Sequence, residues 1–144
     1  MQVAERDFIK VVSNGKLTTH SNPFDEINVA NTGLRVVGVD HLSKMLHWDM
    51  PVIANAIGTT TRTLERYRKD KKPLSKNVSE NALELARLST HGIEYFGSVE
   101  RWNEWLNTPN IQFNNNPPKS VINSIRGREL IKRIINGLAH GFAA

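Results

Sequence analysis

Arginine, lysine and threonine, not a catalytic set, carry the chemistry that this sequence offers, and they are concentrated in one place. Between Thr59 and Lys76 stand seven basic residues, Arg62, Arg66, Arg68, Lys69, Lys71, Lys72 and Lys76, against Glu65 and Asp70. That excess of five equals the net charge of the whole chain, +5, so the positive field is local. Clustered guanidinium and ammonium groups neutralise phosphates, and the hydroxyls of Thr60, Thr61 and Thr63 beside them can reach phosphate oxygens or base edges. A charged stretch is also what any solvated helical face looks like, so the charge needs a frame before it means DNA.

Other chemistries lack their patterns. The histidines at 20, 41, 47, 91 and 140 include no i, i+3 or i, i+4 pair for a metal, and the chain contains no cysteine. No glycine-rich phosphate loop or nucleophile motif occurs. The expectation is a protein that is not an enzyme and takes no cofactor and no metal. Its 144 residues, 39% hydrophobic and 23% charged, suit one globular domain or two small ones sharing a core. The N-terminus has charges within its first ten residues and no apolar run of signal-peptide or membrane-spanning length, which leads us to expect a cytoplasmic protein with no membrane partner.

The frame for the basic residues is the stretch PVIANAIGTTTRTLERYRK, residues 51 to 69. Val52, Ile53, Ala54 and Ile57 give the apolar face of a short helix, Pro51 suits its first position, and Gly58 stops it. Thr59 or Thr60 caps a second helix, held inward by Leu64 and Tyr67. Ala54, Gly58 and Leu64 occupy the crossing, turn and anchor positions of a helix-turn-helix. Thr60, Thr61, Arg62, Glu65, Arg66 and Lys69 then face outward. With Thr63, Lys71 and Lys72, the hydroxyl and basic members of that face are the candidate DNA contacts. An ordinary basic helical hairpin remains the alternative.

The remaining elements follow from periodicity. Residues 1–33 are rich in Asn, Ser, Thr and Gly with no sustained period, an N-terminal arm expected to be partly flexible or extended. Val3, Phe8, Ile9, Val11 and Val12 fit either a short strand or a helix docked on the body. From Leu34 a helix is expected to run to Asp49 on a face of Leu34, Val37, Leu42, Met45, Leu46 and Trp48. Ala82, Leu85, Ala86, Leu88, Ile93 and Phe96 follow helical spacing up to Gly97. Ser98 caps a further helix with Trp102, Trp105 and Leu106 on one face, which fits core packing or an aromatic surface for a partner. NTPNIQFNNNPP should exclude regular structure. Pro118 is expected to open a helix that Gly127 closes, and a final helix has Leu130, Ile131, Ile134, Ile135 and Leu138 inward.

The C-terminal half resembles the Xre/MbcA/ParS antitoxins, which neutralise RES-domain toxins, through Phe96-Gly97, Trp105-Leu106, Pro109-Asn110, Phe113, Pro118, Gly127 and Gly141. Thr63-Leu64, Arg66 and Leu74-Ser75 extend the resemblance, which covers roughly residues 33 to 143. Gly137-Leu138-Ala139 before His140-Gly141, and Lys119-Ser120 after the proline, depart from the family pattern. The resemblance implies an all-α fold: a Xre-like helix-turn-helix domain followed by a small helical toxin-binding domain, spanning 34–88 and 89–144. It implies a homodimer through the helical N-terminal region, operator DNA as one partner, and as the other a RES-domain toxin that consumes NAD or ADP-ribosylates a target. Asn110, Arg133, His140, Gly141 and Phe142 are then the expected toxin contacts, with the terminal segment plugging the toxin's active site. Phe142 folded back on its own domain is the other reading of that residue. The implied activity is neutralisation of the toxin with repression of the antitoxin's own operon. The alternative is a stand-alone helix-turn-helix regulator whose C-terminal half only dimerises or senses a ligand. For Arg66 the resemblance also allows a structural role, paired with Glu80 or Glu84.

Overall fold

Asp7 organises the start of the chain with both of its carboxylate oxygens. One accepts from the Lys10 amide, capping the short helix α1 (Phe8–Val12), and the other accepts from the Thr19 amide 12 residues on. The computed structural model describes residues 7–141, which contain eight α-helices and no strand, so the class is all-α as expected. The described chain divides between Thr90 and His91 into two compact units.

In the first unit the arm takes the helical of its two readings at Phe8–Val12, while Val3 lies outside the described residues. Phe8, Ile9 and Val12 are buried, the Phe8 amide donates to Thr90 Oγ1 at 2.9 Å, and α1 packs on helix α3 (Val36–Leu46). The contact is close because a Cβ on Gly38 would lie 2.1 Å from the Val12 carbonyl oxygen. Helix α2 (Pro23–Thr32) follows, with the Asn22 side chain accepting from the Phe24 amide and Pro23 opening the first turn. Its only buried residue is Ala30, which is why no apolar period announced it. Glu26 on this helix pairs with Arg87.

Helix α3 is Val36–Leu46, not Leu34 to Asp49. Leu34 lies outside the helix: its amide donates to Ser79 Oγ at 2.9 Å and its carbonyl accepts from the Leu74 amide at 2.8 Å. The helical phase is therefore set by Val36, Val39, Leu42 and Leu46, all buried, and Val37 and Met45, expected inward, are exposed at 43% and 38%. Helices α4 (Met50–Ala56) and α5 (Thr61–Asp70) complete the three-helix contact with α3. Helix α6 (Lys76–Phe96) runs through the division, and its expected inward residues are buried except Phe96, which is half-buried.

In the second unit the Ser98 hydroxyl caps α7 (Val99–Asn107) by accepting from the Arg101 amide. The asparagine-rich loop, expected to lack regular structure, forms a 3-10 turn at Ile111–Phe113 closed by an Asn110–Asn116 bridge. Asn114 and Asn115 supply left-handed backbone at φ +57° and +64°, a region asparagine tolerates. Pro118–Val121 is a single 3-10 turn and not a helix reaching Gly127. Helix α8 (Ile125–Ala139) starts at the Ser124 cap, so Gly127 lies inside it. A Cβ there would fall 1.7 Å from the Val121 carbonyl oxygen, which makes this glycine a point of close approach and not a stop.

Candidate functional site

The α4–turn–α5 segment is built from short-range rules. Pro51 sits in the first turn of α4, while Ile53, Ala54, Ala56 and Ile57 are buried. Gly58 adopts φ +81°, and the Thr59 amide returns to the Ala54 carbonyl at 2.9 Å, closing the turn. Asn81 Nδ2 donates to the Ile57 carbonyl at 3.1 Å and holds the turn from α6. Thr60 caps α5, its hydroxyl oxygen accepting from the Thr63 amide at 3.1 Å. Leu64, fully buried, anchors the helix.

Two long-range ties fix α5. Arg68 forms a two-point contact with Asp40 on α3, Nη2 to Oδ1 at 2.7 Å and Nε to Oδ2 at 3.3 Å. Three residues on, at the C-cap, Lys71 takes φ +54°, and its carbonyl accepts from Arg35 Nη1 at 2.7 Å. Sequence spacing gave no sign of either tie, because the partners are 28 and 36 residues apart. Among the candidate DNA contacts, Thr60, Arg62, Arg66, Lys69, Lys71 and Lys72 are exposed, while Thr61 and Thr63 are half-buried. Thr63 also shares a hydroxyl contact of 3.1 Å with Thr60. The guanidinium of Arg66 lies 5.6 Å from the Tyr67 ring centroid, a cation–π contact that restrains it on the helix surface.

The second unit is organised by aromatic rings. Trp102 is fully buried and stacks on Trp105 at 5.9 Å with 12° between planes, and Phe96 and Phe113 pack on Trp105 at 5.2 and 5.9 Å. Asn110 is half-buried, and its Oδ1 accepts from the Gln112 amide at 2.9 Å, so this expected contact residue shapes the turn that presents Ile111. Arg133 and His140 are seven residues apart along α8 and its C-cap, which places them on one side of the helix, and both are exposed. Gly141 turns the chain off the helix at φ +78°. Phe142 lies outside the described residues. His91 Nε2 donates to Asn136 Oδ1 at 2.7 Å, and the buried Arg128 donates to the Ile122 carbonyl at 2.9 Å, so both belong to the framework. Ile111 and Ile125, exposed at 78% and 61%, were not singled out by periodicity, because a lone apolar residue in a turn or at a cap leaves no period.

Among the described residues no cluster of three or more His, Asp or Glu could hold a metal, and no helix is long and apolar enough to cross a membrane.

Residues 91–141 match the family model of the antitoxin Xre/MbcA/ParS C-terminal toxin-binding domain. The chain is also 23% identical over 135 residues to the Prs ADP-ribosylating antitoxin of Sphingobium sp. (strain YBL2), covering 88% of this chain and 85% of that protein. Both comparisons bear out the resemblance drawn from the FG, WL and PN pairs: the chain is Xre/MbcA/ParS-like, and the likeness to a toxin-binding domain falls on the second unit.

Proposed function

We propose, starting from that likeness, that the chain is an antitoxin that binds and neutralises a cognate RES-domain toxin by blocking its active site. The toxin consumes NAD or uses it for ADP-ribosylation, and the antitoxin represses its own operon by setting α5 on operator DNA as a homodimer in the cytoplasm. The observation that carries the reading is the match of residues 91–141 to a toxin-binding domain. The DNA half is supported by a capped, glycine-turned helix pair whose outward face holds Arg62, Arg66 and Lys69, with Lys71 and Lys72 at its end. Inhibition of this kind occupies space in the partner's pocket, so it requires no catalytic group or cofactor in the antitoxin.

Co-expression with the adjacent reading frame tests it. The expected result is co-purification of the two products, with the toxin's NAD consumption suppressed in the complex. Loss of the neighbouring product on the first column, with gel retardation of the upstream duplex retained, would leave a stand-alone regulator.

A further inference from the structure

Helix α2 carries its apolar side chains outward. Phe24 and Ile27, one turn apart, are exposed at 73% and 51%, and between them Asp25 has an exposed side chain with no ion pair or hydrogen bond among the described residues. Glu26 is already committed to Arg87. This is a small acidic apolar ridge, larger than the single exposed apolar residue that needs no explanation.

The same unit holds a groove of the opposite character. Along α1 and α3 runs an open groove of about 670 Å³ whose apolar floor includes Val11 and Met45 and whose rim carries Lys10, His41 and Lys44. Val37 continues the exposed strip of α3 one turn beyond His41. Asp7 also lines the groove, but both of its carboxylate oxygens are engaged by amides of its own chain, leaving the lysines as the available charges. A DNA duplex would match the lysines and leave the apolar floor uncovered. An acidic amphipathic helix would match both.

We propose that the occupant is a second copy of this chain, with the Phe24 and Ile27 side of α2 from one protomer seated in the α1/α3 groove of its partner and Asp25 facing Lys10 and Lys44. Arranged as a two-fold pair, the two protomers make the exchange twice and the assembly closes on itself. This rests on the homodimer in the function proposed above and names its surface. It also accounts for the outward turn of Val37 and Met45, which an isolated helical period would have placed inside.

Sedimentation of the full-length chain tests the interface. Phe24→Asp and Met45→Asp should each raise the dimer dissociation constant about tenfold or more, with unchanged circular dichroism because both side chains are exposed. Mixing the two variants should restore association above that of either alone, since one intact ridge then meets one intact groove. Asp25→Lys should weaken the dimer, and adding Lys10→Glu with Lys44→Glu on the same chain should restore it, which decides the matter if an apolar replacement disturbs folding. A wild-type chain that stays monomeric overturns both the dimer and its surface. A dimer indifferent to Phe24→Asp and Met45→Asp, or a mixture no better than its components, overturns the surface and leaves the dimer standing.

Discussion

Trp102 and Trp105 lie one turn apart on α7 and carry different loads. Trp102 is fully buried, and its Nε1–H has no hydrogen-bond partner among the described residues, a desolvation cost that the surrounding rings must offset. Trp105 is half-buried and contributes one ring to a four-ring contact. Trp102→Ala should therefore cost about 3 to 5 kcal/mol, and Trp105→Ala roughly half of that, read by chemical denaturation followed by circular dichroism. If Trp105→Ala proves the costlier change, the assignment of Trp102 as the centre of the second unit is wrong. Gly127 gives a sharper test because two effects have opposite signs. In an open helix interior, replacing glycine by alanine stabilises by about 0.5 to 1 kcal/mol, but here the new Cβ meets backbone at Val121 and something must shift, costing about 1 to 3 kcal/mol. Gly127→Ala should lower the thermal midpoint. A rise would mean that the α8 approach to Val121 is looser than 1.7 Å implies.

Among the elements, α5 shows how a surface ion pair can matter for geometry while adding little stability. The Arg68–Asp40 pair is substantially exposed, its side chains 45% and 27% accessible, so it is worth at most about 1 kcal/mol. Its role in the proposed DNA reading is to set the tilt of α5 on α3. Asp40→Asn removes a negative charge, which by electrostatics alone tightens binding to any duplex. Loss of the tie should instead lower the preference for the upstream duplex over a random one, read by competition gel shifts, and an unchanged preference would sink the positioning role. On the same helix, Arg66→Ala should weaken specific binding by about 1 to 3 kcal/mol if it reads a base. Lys72→Ala should lower affinity evenly across sequences and flatten the salt slope, and titrations at two salt concentrations separate the two behaviours. The elements legible in the sequence were those whose signals are local: Pro51, Gly58 and Thr60 around the turn, Leu64 as anchor, Ser98 as cap. Those missed were governed from a distance. Helix α2 buries only Ala30, the phase of α3 depends on Leu34 being held outside it by Ser79, and the glycine at 127 answers to the Val121 backbone.

At the scale of the whole molecule, the densest basic stretch, Thr59 to Lys76, belongs to the unit that ends at Thr90, and the stacked tryptophans belong to the unit that follows it. The end of the chain was read from the sequence as the part that enters the toxin, and the described residues stop just short of its apolar tip. His140 caps α8 in the open, and Gly141 bends the backbone away from the helix axis at φ +78°. In the proposed function Phe142 follows that bend into the toxin's cleft, and the two alanines after it add no bulk. A chain ending at Ala139 should then lose roughly 1.5 to 3 kcal/mol of toxin affinity, the burial of one phenylalanine side chain, and release toxin activity. DNA binding should be unchanged, because α5 and its ties to Asp40 and Arg35 lie in the first unit. Protection assays beside the neighbouring toxin, gel shifts and thermal denaturation together separate the outcomes. If the truncated chain protects as well as the full-length one, the terminal segment is no plug, and if its thermal midpoint falls with its protection, Phe142 packs on its own domain and inhibits only by keeping that domain folded.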